Sequence, residues 1–181
     1  MIKFVHNVCC AYIDSVMYIT DLEEIKRISI LDENKNWKFR SFLKMRDPAK
    51  IDQMVKPIYE SVLKQIDCTF CGNCCIEMVP LIKSEDLKKL ESELCISKTE
   101  ILGKFVSKNE FSEMELKGKP CPFLKGKLCG IYDNRPEDCV SFPHIQKKGF
   151  TTRLIGMIEN MGICPIVFNV IEELKYELRF R

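Results

Sequence analysis

A chain of 181 residues, with 46% hydrophobic and 30% charged residues, can bury a hydrophobic core and is too apolar to be disordered. Its formal net charge of only +2, with one Trp and 9% aromatic residues, excludes the basic, aromatic surface typical of nucleic-acid binding. The N-terminus lacks the long apolar segment of a signal peptide, and no run elsewhere reaches the length of a membrane span. We therefore expect a cytoplasmic protein without nucleic-acid or membrane partners.

Eleven cysteines are the unusual feature of this composition. A reducing compartment keeps thiols free, so a disulfide framework is not expected, and an odd number of cysteines cannot pair completely in any case. Clustered cysteines in such a protein indicate metal binding or catalysis. Cys9 and Cys10 stand apart from the others in a short apolar stretch, and we interpret them as part of a buried first strand.

Residues 1–66 predict a mainly helical N-terminal extension packed on the core. Thr20–Glu23 has capping-box spacing and opens an amphipathic helix. Asp47 followed by Pro48 matches an N-cap and a first helical position, and apolar residues then recur at helical spacing up to the end of this region. Pro57 lies inside that run and is expected to kink or divide the helix.

Residues 67–181 predict a cysteine-cluster metal-binding domain that ends in a closing C-terminal helix from Pro165. Ser84 is expected to cap a helix that runs to about Leu94. Short apolar segments predict the strands of this region, which are Ile76–Ile82, a hairpin over Phe123–Cys129, and Phe150–Ile158. The fold class that follows is α+β, mostly helical with small β elements around a cysteine-ligated metal site.

The strongest site signal is a run of four cysteines, Cys68, Cys71, Cys74 and Cys75. Two consecutive C-x2-C steps and an adjacent fourth Cys place several thiols close together on a tight loop, for which Gly72 supplies conformational freedom. A bound cation lowers the pKa of such thiols, so they bind as thiolates. Hydrophobic packing alone does not require this spacing.

Further cysteines are spread downstream, and proline follows two of them directly, in Cys121-Pro122 and Cys164-Pro165. Together with the run they give eight candidate metal ligands, which are Cys68, Cys71, Cys74, Cys75, Cys121, Cys129, Cys139 and Cys164. Eight thiolates are enough for one site with spares or for two sites, and the spacing does not decide between them. It also does not show which of the adjacent Cys74 and Cys75 points inward.

Zinc and iron–sulfur clusters both accept four thiolates. The C-x2-C-x2-C spacing of Cys68, Cys71 and Cys74 is typical of bacterial ferredoxin sites, in which a distant Cys followed by Pro completes a ligand set. Cys75, however, follows Cys74 directly, whereas a full ferredoxin run has three residues between its third and fourth cysteines. A zinc site needs only two cysteine pairs. The surplus of thiolates favours a 4Fe–4S cluster as the cofactor, with zinc as the alternative.

These residues resemble the YkgJ-type cysteine-cluster family (CxxCxxCC), whose members are described as zinc- or iron-chelating domains. The resemblance rests on four motifs: Cys68–Cys75, Cys121–Leu124, Cys129–Cys139 with its Arg135-Pro136 step, and Phe142-Pro143. It covers about residues 67–145. It implies that the clustered cysteines are metal ligands, since this is their role in the family. One relative methylates flagellin lysines and is associated with an iron–sulfur centre, and others are labelled Fe–S oxidoreductases.

Three functions follow from these observations. The first is electron transfer or Fe–S oxidoreductase chemistry at a 4Fe–4S centre, with a redox or protein partner that the sequence does not name. The second is a zinc-binding structural or interaction module without catalysis of its own. The third is dithiol cycling at one C-x2-C pair, which leaves the remote cysteines unexplained. Whether the chain is itself an enzyme, or part of a methylase-like system, stays open.

Overall fold

The structure of the protein is a computed structural model that describes residues 17–181. The strand predicted around Cys9 and Cys10 lies outside these residues. The helices are α1 (Leu22–Leu31), α2 (Glu33–Lys44), α3 (Pro48–Gln65), α4 (Asn73–Glu77), α5 (Ser84–Leu94), α6 (Lys98–Phe105), α7 (Glu137–Ser141), α8 (Leu154–Glu159) and α9 (Pro165–Glu177). The strands are β1 (Val106–Lys108), β2 (Met114–Leu116), β3 (Leu124–Lys125) and β4 (Leu128–Cys129). The predicted class, mostly helical α+β, is confirmed.

Local sequence signals predict α1 and α3, with one correction for each helix. Helix α1 is capped by Asp21, whose carboxylate accepts a hydrogen bond from the Glu24 amide, and not by Thr20. The Asp47 carboxylate accepts the Ala49 amide and starts α3 as predicted. Pro57 does not divide α3, because the helix continues to Gln65 with its apolar face buried, and this packing offsets the hydrogen bond that proline removes.

Two predicted strands are wrong, and the hairpin is confirmed. Most of Ile76–Ile82 is helix end and irregular chain, and only Leu81 forms an isolated bridge, with Glu115. Phe150–Ile158 is a 3₁₀ turn followed by α8, since its apolar residues recur at helical spacing. Strands β3 and β4 pair antiparallel within the predicted hairpin. Helix α5 ends at Leu94 as predicted, but Ser84 is its first residue and not its cap. Lys83 is the N-cap, and its amide donates to the Asp86 carboxylate.

Two hydrophobic clusters form the interior. The first joins the N-terminal helices to the C-terminal part of the chain, with α9 packed along α3. The second lies among α5, α6, the β1–β2 pair and Phe123. The cysteine-rich segments run between them, so the candidate site has one hydrophobic cluster on each side. The predicted boundary between residues 66 and 67 stays a prediction.

Within residues 17–181, no single helix is both long and apolar enough to cross a membrane. The consecutive segments Leu154–Gly162 and Pro165–Glu177 satisfy the length and composition criteria only when taken together, and they are bent by 115°.

Candidate metal centre

The C-x2-C-x2-C-C loop has a compact local structure. It starts with a 3₁₀ turn over Cys68–Phe70, which Asp67 caps by accepting the Thr69 amide. Gly72 then adopts a left-handed conformation (φ +66°) and leads directly into α4. In a 3₁₀ turn residues three apart project to the same side, as Cys68 and Cys71 do, whereas the adjacent Cys74 and Cys75 of α4 point about 100° apart. Gly72 is also buried against the hairpin, where a β-carbon on this residue would lie 2.5 Å from the Lys127 carbonyl oxygen.

Two long-range hydrogen bonds bring the remote cysteines to this loop. The Asn73 side chain donates to the Ile163 carbonyl over 2.7 Å, which places the residue before Cys164 against the loop. On the other side, the Cys121 amide donates to the Cys75 carbonyl over 2.7 Å. Each bond ties one remote cysteine to the second half of the run, Cys164 at Asn73 and Cys121 at Cys75.

Cys139 is presented by α7, which begins directly after the Arg135-Pro136 step. The buried Asp86 carboxylate accepts the Glu137 amide over 2.9 Å and so ties the start of α7 to α5. The carboxylate of Asp138, the next residue, accepts the Leu81 amide. The position of Cys139 therefore depends on two carboxylates that the sequence did not single out as functional.

Asp86→Ala is expected to lower the free energy of unfolding by about 2–3 kcal/mol, because two amides lose a charged, buried acceptor. The same replacement at Asp133, an exposed residue of the turn before α7, is expected to change it by less than about 0.5 kcal/mol. Chemical denaturation of both variants measures the difference. Equal effects would show that the Asp86 contacts do not hold α7.

Seven of the eight candidate cysteines line one cavity of about 160 Å³. They are Cys68, Cys74, Cys75, Cys121, Cys129, Cys139 and Cys164. The rest of the wall is mostly apolar, with Met78, Phe142 and Ile166 among its residues. A thiol-rich space with apolar walls suits a soft metal or a cluster. Of its cysteines, Cys164 is buried, whereas Cys68 and Cys74 are exposed.

The eighth candidate, Cys71, lines a smaller adjoining cavity of about 30 Å³. The other cysteines in that wall are Cys68, Cys74 and Cys164. The structure thus brings all eight predicted residues together, and all are free thiols. The remaining described cysteine, Cys95, lies apart and exposed at the end of α5.

Burial and mutual contact disfavour ionisation of several of these thiols. The hydrogen bond with the Cys121 thiol lowers the pKa of Cys75, but contact with the Cys74 thiol and burial outweigh it and raise that pKa to about 11. Burial, followed by the nearby thiols of Cys75 and Cys121, raises the pKa of Cys139 to about 12. A bound cation reverses this effect, because it stabilises the thiolates.

The thiols of Cys68 and Cys164 form a second group of interactions. Burial is the largest cause of the raised pKa of Cys164, about 12, to which Cys71 and Cys68 add. Burial, followed by the adjacent Asp67, raises the pKa of Cys68, and the guanidinium of Arg135 opposes this rise. Arg135 also lines the larger cavity and stacks 3.7 Å from the centre of the Tyr132 ring.

Two of the thiols lie beside backbone amides, and both are followed by proline. Interaction with the Cys75 thiol, followed by burial, raises the pKa of Cys121, and the nearby amides of Phe123 and Leu124 oppose this rise. The amides of Ile166 and Val167, at the start of α9, likewise oppose the rise that burial causes in the pKa of Cys164. Amides directed at sulfur stabilise a thiolate and tune the metal that it binds.

The donor set fits zinc or iron–sulfur ligation chemically, since thiolates are ligands common to both. Within residues 17–181, no three His, Cys, Asp or Glu side chains already form a ready-made ion site. Loading with metal therefore requires thiol side chains to rotate towards a shared centre. A model of the CxxCxxCC family, described as a "Putative zinc- or iron-chelating domain", matches residues 67–155.

Residues 67–155 are therefore a CxxCxxCC domain. Metal binding is the property that this membership supports. Searches of curated proteins and of solved structures gave no match. Cys164 lies beyond the matched residues, yet it borders both cavities of the CxxCxxCC domain.

Sequence reasoning missed the side chains that assemble this CxxCxxCC site. Asn73 reaches a carbonyl 90 residues away, a contact that no local pattern signals. Tyr59 of α3 lies beside Cys68 and Cys164, and burial, followed by these two thiols, raises its pKa. The sequence signal for Tyr59 was its place on the buried side of α3, and this place is equally consistent with an ordinary core residue.

Proposed function

We propose that this protein carries iron–sulfur chemistry, most simply as a 4Fe–4S centre that transfers electrons or serves an Fe–S oxidoreductase reaction. One observation carries the proposal: eight thiols from the loop, the hairpin region, α7 and the start of α9 line two adjoining, mostly apolar cavities, seven of them the larger one. When bound, a cluster would supply reversible one-electron transfer. The chain's own thiols would hold it, with Cys164 buried and Cys68 and Cys74 exposed.

Three features favour a cluster over a single zinc ion. A structural zinc uses four ligands that converge on one point, about 2.3 Å from each sulfur. Here seven thiols line a space of about 160 Å³, which is larger than one ion needs, and the eighth, Cys71, lines the adjoining smaller cavity. The backbone amides beside Cys121 and Cys164 lower the pKa of these thiols, and amides near sulfur are among the features that set the reduction potential of clusters.

A zinc-binding structural module is the second candidate, and the position of the site favours it. The thiols lie between two hydrophobic clusters, with Cys164 in the first and with Cys121 and Cys129 packed on the second. A metal bound across this junction would join the two clusters. Its free energy of binding would then add to the free energy of folding.

The proposal includes a cytoplasmic setting and a redox partner. Reducing compartments keep clustered thiols available for metal, which supports the setting. An electron-transfer centre needs a donor and an acceptor, which supports the partner.

The test is a redox titration of the full chain purified without oxygen. We expect broad visible absorption that dithionite bleaches and a mild oxidant restores. Cys71→Ser should lower the absorbance per chain, whereas Cys95→Ser, at an exposed cysteine outside both cavities, should leave it unchanged. A colourless protein that binds zinc stoichiometrically would overturn the iron–sulfur proposal in favour of the structural module.

A further inference from the structure

We infer that the eight thiols form two separate four-thiolate metal centres. The first thiol group is Cys68, Cys71, Cys74 and Cys164. The second thiol group is Cys75, Cys121, Cys129 and Cys139. The inference rests on the proposed function only in that metal binds to these thiols, and it holds for zinc as well as for clusters.

Cavity walls define the first thiol group. All four of its members, and no member of the second group, border the smaller cavity. The 3₁₀ turn of the loop brings Cys68 and Cys71 together, with the Cys71 amide donating to the Cys68 carbonyl. The bond from Asn73 to Ile163 then holds Cys164 beside them.

Backbone contacts and cavity walls define the second thiol group. The Cys121 amide donates to the Cys75 carbonyl over 2.7 Å. Cys129 lies in the hairpin that follows Cys121, where it pairs with Leu124. Cys139 borders the larger cavity with these three cysteines, and none of the four borders the smaller one.

The adjacent pair Cys74 and Cys75 is where the two groups divide. Both residues lie in α4, in which consecutive side chains point about 100° apart, as 3.6 residues per turn require. Cys75 borders only the larger cavity, whereas Cys74 also borders the smaller one with Cys68 and Cys71. Because both residues border the larger cavity, the two centres would be close neighbours.

Each thiol group has its own structural support. Cys164 belongs to the first hydrophobic cluster, whereas Cys121 and Cys129 pack against the second. Each group also contains one Cys-Pro step, at Cys164 and at Cys121. A single centre with four spare thiols would not require this duplication.

Three double variants that each remove two cysteines test the division. Cys68→Ser/Cys71→Ser damages only the first group, and Cys121→Ser/Cys129→Ser damages only the second. The crossed variant, Cys68→Ser/Cys129→Ser, damages both. The probe is Co²⁺ added to the reduced, metal-free full chain without oxygen, with thiolate-to-cobalt charge-transfer absorption as the readout.

We expect two tight cobalt sites per wild-type chain, one in each within-group variant and none in the crossed variant. One tight site in the wild type, or the same loss in all three double variants, would overturn the inference. If two cobalt sites are found and native protein lacks iron and sulfide, the division stands and the iron–sulfur proposal fails. A brown protein with only one cluster and one cobalt site would overturn the division and leave the iron–sulfur proposal standing.

A second measurement needs no variants and so does not depend on their folding. Wild-type protein with one equivalent of Co²⁺ is treated with iodoacetamide, and alkylation of each cysteine is followed by mass spectrometry. We expect the four cysteines of one thiol group to become protected together. Their protection should precede that of the other thiol group or be independent of it, and Cys95 should stay reactive throughout. Protection that mixes members of both groups in one set would contradict the division.

Discussion

Gly72→Ala is expected to lower the free energy of unfolding by about 3 kcal/mol or more, because a backbone clash adds to the usual cost of a strained φ. The residue has φ +66°, and a β-carbon there would lie 2.5 Å from the Lys127 carbonyl oxygen. Both the loop and the hairpin backbone would have to move to relieve this contact. Denaturant unfolding of the metal-free chain measures the loss, and metal content should fall with it.

Gly126→Ala is the matched control. Gly126 lies in the turn of the same hairpin and has φ +63°, but an added β-carbon there meets nothing within 4 Å. Only the conformational cost remains, so the free energy of unfolding should fall by about 1 kcal/mol. If both variants lose the same stability, the close approach of the loop to Lys127 is not what makes Gly72 necessary.

Phe39→Ala is expected to lower the free energy of unfolding by about 3–5 kcal/mol, since it leaves a cavity in the first hydrophobic cluster. The Phe39 ring is fully buried in α2, 4.9 Å from that of Phe180 and 6.0 Å from that of Phe42. The buried Lys175 ammonium also lies over it. The variant therefore loses both packing and a favourable cation–π contact.

Phe111→Ala provides the comparison, because the Phe111 ring is 74% exposed in the turn between β1 and β2. We expect a change of less than about 0.5 kcal/mol there. Thermal and chemical denaturation of both variants would give the two values. A small effect at Phe39 would contradict the packing of α2 and the C-terminal residues against each other.

Helices with strong local signals were predictable from the sequence. The Asp47-Pro48 start of α3 and the Pro165 start of α9 are confirmed, because cap chemistry and periodic apolar residues agree there. The helix-breaking effect of Pro57 was overestimated, since the packing of the buried face of α3 against α9 outweighs one missing hydrogen bond. Phe150–Ile158 was misread because a short apolar run does not by itself distinguish strand from helix.

The sequence predicts which cysteines form the site but not how they are arranged in space. Cysteine spacing identifies thiol-rich chemistry, since it reflects the local loop. Which thiols share a centre depends on tertiary contacts, such as Asn73 with Ile163 and Cys121 with Cys75. Those contacts join segments far apart in the chain, and no local pattern encodes them.

The central claim is that these clustered thiols hold iron–sulfur chemistry. Iron, acid-labile sulfide and zinc are measured per chain in full-length protein purified without oxygen. We predict equal amounts of iron and sulfide, about four of each per 4Fe–4S centre, and no stoichiometric zinc. Stoichiometric zinc without sulfide would contradict the claim.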